Sequence, residues 1–362
     1  MKFYYRGMCL VLAFLLGESR IFSQNISLVK TNPGQWTKAK AQAWYKDQAW
    51  INGANFIPST AINQLEMWQS ETFDPETNDR EFGYAEGIGF NTFRVFLHSL
   101  VWKEDPNGFK TRIQVFLKIA QKHNIRIIFV FFDDCWNKEP HLGLQPAPKT
   151  GVHNSGWMQD PGQPVSEDSS RFSEWEPYVK DILRSFGHDT RILLWDLYNE
   201  PGNSGKGDRS LPLLKKVFAW AREIKPEQPI SSGVWNRSLQ KITDFQLAHS
   251  DIITYHDYGV PTDHLETIAY LETFKRPLIC TEYMARTRNS RFENIMPILR
   301  KERIGAINWG LVSGKTNTIF AWDTPIPDGS EPKEWFHDVF RKDGSPYNAT
   351  ETDLIKKLNG KI

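Results

Sequence analysis

The sequence predicts an α/β fold, a (β/α)8 TIM barrel occupying residues 24–362 as one domain after a leader at 1–23. Three observations lead there. Short apolar runs alternate with longer helix-patterned segments, which marks a parallel sheet with crossover helices. Eight such units fit within about 300 residues, inside the size range of this barrel. No glycine-rich phosphate loop follows the first run, which argues against a doubly wound open sheet.

The elements follow in order. Residues 49–56 form the first strand, and helical stretches at 61–68 and 75–87 follow. Residues 91–97 make strand two. A helix at 111–123 then places Ile113, Phe116, Leu117 and Ala120 on one face. Strand three, 126–132, reads RIIFVFF, a continuous apolar run suited to burial on both faces. A long Gly/Pro/Asn-rich loop at 133–169 precedes a helix at 172–186, and loops of that length inside a compact domain are usually functional. Strand four is 191–197, with a helix at 212–224 after it, and strand five is 228–232. Strands six, seven and eight are 251–256, 277–281 and 304–309, separated by helices at 264–274 and 292–302. A second long loop, 310–332, leads to a closing helix at 334–340.

The leader combines Lys2 and Arg6 with an apolar run at 8–16, and Ser23 precedes Gln24. That pattern predicts export to the periplasm or the exterior. The run is too short to span a bilayer, so no membrane insertion is expected of the mature chain. Lys and Arg total 44 against 43 Asp and Glu. This balance gives no global field for nucleic acid or an anionic membrane, and the expected partner is neutral. Fourteen Trp is a high count, and flat aromatics serve both cores and the apolar faces of sugar rings. Cys9 falls in the leader. Cys135 and Cys280 sit at separate strands and are expected to remain free thiols.

Active sites of this barrel gather at the C-terminal ends of the strands. Strand four ends Trp195-Asp196-Leu197-Tyr198-Asn199-Glu200-Pro201, and strand seven ends Ile279-Cys280-Thr281-Glu282-Tyr283. Glu200 and Glu282 therefore face one another across the mouth. Asn-Glu-Pro alone is a weak tripeptide; on the fourth strand of eight, with Thr-Glu-Tyr on the seventh, it is far more specific.

These residues resemble the clan A glycoside hydrolases, and family 5, the cellulase and mannanase family, in particular. The resemblance covers essentially the whole mature chain, and segments 59–68, 309–315 and 342–347 look like a set of single-domain bacterial members. It implies a retaining O-glycosyl hydrolase that cleaves β-glycosidic bonds, with no cofactor or metal and a carbohydrate substrate. Glu282 is then the nucleophile and Glu200 the acid/base, with carboxyls about 5 to 5.5 Å apart as double displacement requires. Arg94, in Thr92-Phe93-Arg94-Val95, resembles the arginine beside the nucleophile, and Asn199 the asparagine that contacts the sugar 2-hydroxyl. His256 and Tyr258 resemble the His-x-Tyr of strand six, whose tyrosine touches the nucleophile. Trp309 resembles the platform under the reacting sugar. Arg94 is expected to lower the Glu282 pKa, while burial and the Glu282 charge raise that of Glu200.

One departure stands out. The family usually places a histidine near the end of strand three, but here the chain reads Phe132-Asp133-Asp134-Cys135-Trp136. Either Asp133 or Asp134 fills that space against the sugar, or His98 substitutes from strand two. The 133–169 loop, with His153, Asn154 and Trp157, either walls one end of the cleft or is an ordered flap. Lys315 and Asn317 are candidate hydroxyl donors at the rim. The Asn52-Gly53-Ala54-Asn55-Phe56 run is similar to mannoside-cleaving relatives and tilts the substrate towards β-mannosides. Two other readings compete. A metal-dependent hydrolase on this barrel needs a His-x-His on strand one, which is absent. A catalytically silent sugar-binding barrel would not need both glutamates and Arg94.

Overall fold

A computed structural model describes residues 33–362; the predicted leader lies outside the described residues. Helix α1 (Lys38–Lys46) precedes β1 (Asn52–Asn55), and α2 (Gln64–Trp68) and α3 (Pro75–Gly87) lead to β2 (Thr92–Phe96). Next come α4 (Ser99–Glu104), α5 (Pro106–Lys122) and β3 (Arg126–Asp133), then α6 (Gln163–Ser166), α7 (Glu176–Phe186) and β4 (Ile192–Asn199). After α8 (Leu211–Ile224) and β5 (Ile230–Ser231) the chain continues through α9 (Gln240–His249) and β6 (Ile253–His256). It ends with α10 (Pro261–Glu272), β7 (Leu278–Glu282), α11 (Phe292–Lys301), β8 (Gly305–Trp309) and α12 (Ala349–Leu358).

The eight strands form one parallel sheet in the order β5-β4-β3-β2-β1-β8-β7-β6. A parallel bridge between Val234 and Tyr255 closes the seam beside β5 and β6. There Val234 N–H donates to the Thr254 carbonyl and His256 N–H to that of Val234, each at 2.9 Å. This is the predicted (β/α)8 barrel.

Side chains alternate across each strand, so β3 sends Ile127 and Phe129 outward to the helices and Ile128 and Val130 inward. Ile128, Leu194, Ile279 and Ile307 fill the barrel's lower interior, and Trp36 and Tyr45 close it from beneath. Arg94 and Asp196 lie on the same inward face, nearer the mouth. No helix among the described residues is long and apolar enough to cross a membrane.

Five elements differ from expectation. Helices α1, α4, α6 and α9 were not anticipated. Helix α1 buries only Ala41 and Tyr45, and the buried face of α9 is half polar (Thr243, Gln246), so neither carries a readable apolar stripe. The closing helix lies at Ala349–Leu358, capped by the Asn348 side chain, and not at 334–340. There Trp335, Phe336, Val339 and Phe340 have helical spacing and are buried, but their backbones pair elsewhere. Phe336 N–H donates to the Ile319 carbonyl, and Val339 and Phe340 N–H both donate to that of Leu311.

Gly53 sits where β1 presses on β2: a Cβ there would lie 1.6 Å from the Thr92 carbonyl oxygen. Glycine in a strand often marks such a close approach. Gly53→Ala is expected to destabilise the fold by about 3 kcal/mol or more, since overpacking against main chain has no side chain to yield. Urea unfolding measures this, and an unchanged midpoint would contradict the packing described.

Candidate active site

The strands deliver their C-terminal residues to one cleft of about 1050 Å³ at the mouth of the barrel, lined by Glu200, Glu282, Tyr258, Trp235, Trp309 and Trp322 among others. Beneath it lies Arg94, fully buried. Its Nε and Nη2 donate to Asp196 Oδ2 at 2.9 and 2.7 Å. Nη1 donates to Asn55 Oδ1 and Glu282 Oε1, both at 2.8 Å, and Nη2 also to Asn199 Oδ1 at 2.7 Å. All five guanidinium N–H bonds are thereby used. One side chain from β2 ties together the ends of β1, β4 and β7.

Glu282 accepts from Arg94 through Oε1 and from the Tyr258 hydroxyl through Oε2 at 2.9 Å. Glu200 stands across from it with φ +43°, a left-handed conformation uncommon outside glycine. Its Oε1 lies 2.8 Å from His256 Nδ1, and its Oε2 accepts from the Cys135 thiol at 3.3 Å and from Asn203 Nδ2. Burial pushes His256 down to about 4, so the ring is neutral and its Nδ1–H donates to Glu200. Burial pushes Tyr258 well above its usual value, which keeps the phenol a donor.

Both glutamates are raised above the ordinary carboxyl value, burial being the main cause. The thiol, Asn203 and the Arg94 charge pull Glu200 back, while Arg94 and Tyr258 pull Glu282 back against a further raising by the neighbouring Glu200 carboxylate. The expectation that Arg94 lowers Glu282 is thus only part of the balance: desolvation outweighs it. One ligand atom from each of Glu200, His256 and Glu282 lies within 4.8 Å of the others, a spacing that suits a metal ion as well as a shared proton. Positive charge already reaches Glu282 from Arg94 at 2.8 Å, so the donor set fits proton chemistry.

The residues proposed for the strand-three departure take different places. Asp133, Asp134 and His98 are buried and do not line the cleft. Asp133 accepts from Asn199 Nδ2 at 2.9 Å and from Trp157 Nε1 at 2.7 Å, which orients both, and burial raises its pKa to about 6. Asp134 holds the segment after Glu200: it accepts from Gly202 N–H at 2.8 Å, Lys206 Nζ at 2.6 Å and Ser210 Oγ at 2.5 Å. His98 caps α4, its Nδ1 accepting from Leu100 N–H at 3.2 Å. Cys135 occupies the cleft wall instead, and both it and Cys280 are free thiols. Lys315 and Asn317 also serve elsewhere. Lys315 pairs with Glu66 at 2.5 Å, and Asn317 Nδ2 donates to the Lys149 carbonyl at 3.0 Å.

Sequence reasoning missed Asn55, Asp196, Cys135, Asn203, Trp235 and Trp322 as site residues. Asn55 ends strand one and Asp196 lies two residues past inward-facing Leu194, so strand-end position and period-two alternation pointed to both. The other four stand on loops, where no periodicity announces direction.

The fold is similar to several solved structures. A beta-1,4-mannanase from the common sea hare Aplysia kurodai matches with TM-score 0.54 and 14% identity, covering 72% of this chain and 87% of that one. An exo-beta-1,4-mannosidase from an Opitutaceae bacterium matches with TM-score 0.58 and 15% identity, covering 86% and 59%. A GH5_18 variant from Streptomyces cattleya, in complex with Manb1-4GlcNAc, matches with TM-score 0.57 and 11% identity, covering 85% and 80%. Among curated protein sequences none matches this chain. The family model Cellulase (glycosyl hydrolase family 5) matches residues 51–314, a span that holds all eight strands and both glutamates. The chain therefore belongs to glycosyl hydrolase family 5 and is a glycosidase.

Proposed function

We propose that the protein hydrolyses β-mannosides with retention of configuration, using Glu282 as nucleophile and Glu200 as acid and then base. The carrying observation is the short separation of the pair: a carboxyl oxygen of each lies within 4.8 Å of the other. Inverting enzymes need a wider gap, roughly 6.5 Å or more, to seat a water between carboxyl and sugar. Only Glu282 touches a guanidinium, so of the two it is the better stabilised as an anion and Glu200 keeps the proton.

In the first step a Glu282 oxygen attacks the anomeric carbon, the glycosidic C–O bond breaks, and the leaving oxygen takes the Glu200 proton. Esterification removes the negative charge of Glu282, so Glu200 becomes a better acid and stays ionised. In the second step Glu200 takes a proton from water. The water oxygen attacks the anomeric carbon from the vacated face, and the ester bond breaks to restore the Glu282 carboxylate. Tyr258 holds one Glu282 oxygen and Arg94 the other, which orients the nucleophile for attack. The mannoside assignment is supported by the Asn52–Phe56 run and by the mannan- and mannoside-related names of several structural neighbours. Export is supported by the charged start and apolar run of residues 1–23.

Glu282→Gln and Glu200→Ala are each expected to lower turnover of an aryl β-mannoside by about 10⁴-fold or more, as losses of reacting groups do. Proton NMR of the first-formed product should show the β-anomer. An α-product, or wild-type rates in Glu282→Gln, would defeat the mechanism. Faster turnover of the gluco-, xylo- or galacto-analogue would reassign the sugar alone.

The pH profile of kcat/KM should be a bell. Its acid limb reports ionisation of Glu282, and its alkaline limb reports loss of the Glu200 proton. Burial raises both groups, so both limbs should lie above the ordinary carboxylate range. The Cys135 thiol lowers Glu200, so Cys135→Ala should move the alkaline limb to higher pH, while Cys135→Ser, which keeps a donor, should move it less. An alkaline limb that stays in place in Cys135→Ala would remove the thiol from this role.

A further inference from the structure

The two long loops after β3 and β8 flank the ends of β2 and β1, and they are joined to each other over those ends. Asn154 N–H donates to the Thr316 carbonyl at 2.8 Å, and Ile326 N–H to that of Gly151 at 3.1 Å. Asn317 Nδ2 donates to the Lys149 carbonyl, and His153 Nδ1–H to that of Phe320 at 2.9 Å. Gly151 is pressed so closely that a Cβ on it would lie 1.8 Å from the Ile326 carbonyl oxygen. Beneath this join, Trp157 packs edge-on against Phe96 and Trp309, with ring centroids 5.1 and 5.5 Å apart. The space left over the β1 and β2 ends, between Phe56, Ile57, Phe96 and Trp157, is about 10 Å³. That barely reaches the roughly 10–15 Å³ needed to hold one water.

No residue of the segments after β1 and β2 lines the cleft among the described residues. On that side it ends at His153, Asn154, Trp157, Trp309 and Trp322, with exposed Trp136 beside His153 and exposed Arg288 beside Trp322. His153, Asn154 and Trp157 are each at most 3% exposed. On the opposite side it runs out past Asn203, Trp235, Arg237 and Glu266, of which Arg237 and Glu266 are exposed.

We propose that this cleft is a blind pocket that accepts the non-reducing end of a β-linked glycan and releases its terminal sugar as a monosaccharide. The inference rests on the double-displacement reading above, which also sets the polarity. The leaving group must depart while the glycosyl unit is still bonded to Glu282, since water needs its place. A leaving group in the walled end would be trapped behind that ester. The walled end therefore holds the glycone, and the leaving group exits past Glu200 and Trp235. Two polar side chains stand at that end. Asn154 Oδ1 is buried without a partner, and His153, neutral because burial pushes it to about 4, keeps Nε2 as an acceptor.

The test uses the wild-type protein. Aryl β-glycosides first identify the sugar, and linear β-1,4-hexasaccharides of that sugar are then digested in three forms: free, borohydride-reduced, and capped at the non-reducing end as a 4,6-ketal. Chromatography over time should show the monosaccharide and successively shorter chains from the free and the reduced forms at similar rates. The capped form should be cleaved about 100-fold more slowly or worse, as expected when a site that reads hydroxyl groups is denied them. Early internal fragments, or equal cleavage of the capped chain, overturn the blind pocket and leave the displacement chemistry standing. No turnover of any glycoside overturns the displacement reading, and the inference with it.

Discussion

The site depends on a buried guanidinium that cannot give up its charge. A group of this kind, removed from water, is tolerated only when every donor is satisfied and the charge is met. Arg94 meets the condition with acceptors from three other strands, Asn55, Asp196, Asn199 and Glu282. That requirement fixes the relative positions of these side chains more tightly than apolar packing would, because hydrogen bonds constrain angle as well as distance. Removing one partner of such a buried set costs about 3–5 kcal/mol, since the remaining charge stays uncompensated. The position of Glu282, the proposed nucleophile, is thus a by-product of solvating one arginine. With two carboxylates already on that cation, a third ionised carboxyl at Glu200 is unfavourable, which is why the proposed acid is the one that stands apart from it.

A second layer holds this set in place, and much of it comes from the end of β3. The adjacent Asp133 and Asp134 face different tasks. Asp133 orients Asn199 and Trp157, whereas Asp134 gathers Gly202, Lys206 and Ser210 and so anchors the turn in which Glu200 adopts its left-handed conformation. A strained backbone persists only where its surroundings over-determine it. The buried ion pair of Lys206 with Asp134 supplies that restraint a few residues downstream.

The parts of the molecule legible in the sequence are those governed by local period and by the barrel's strand-end rule. RIIFVFF reads as a strand buried on both faces, and Glu200 and Glu282 stood out because each ends a strand, whereas Arg94 and Tyr258 were picked out by the resemblance to family 5. What escaped depends on contacts between distant segments. Residues 334–340 have helical spacing, yet their N–H groups are claimed by Leu311 and Ile319. Asp133 and Asp134 look like sugar ligands from their strand-end position, but Asn199, Trp157 and Lys206 reach them first. Lys315 and Asn317 look free at a rim until Glu66 of α2 and the Lys149 carbonyl are seen beside them. Cys135 carried no pattern at all; its meaning comes from Glu200 lying 65 positions away.

The join between the β3 and β8 loops has a further consequence for how such a protein can diverge. Two of its four bonds run from main chain to main chain, Asn154 to Thr316 and Ile326 to Gly151, and the other two end on carbonyl oxygens. Peptide groups are present whatever side chains the loops carry. The wall can therefore absorb much amino-acid replacement without opening, provided loop lengths and the close approach at Gly151 are kept. An insertion or deletion of a few residues breaks the register at once. Relatives that differ in where they cut a chain should then differ in the lengths of these two loops, while their catalytic residues remain the same.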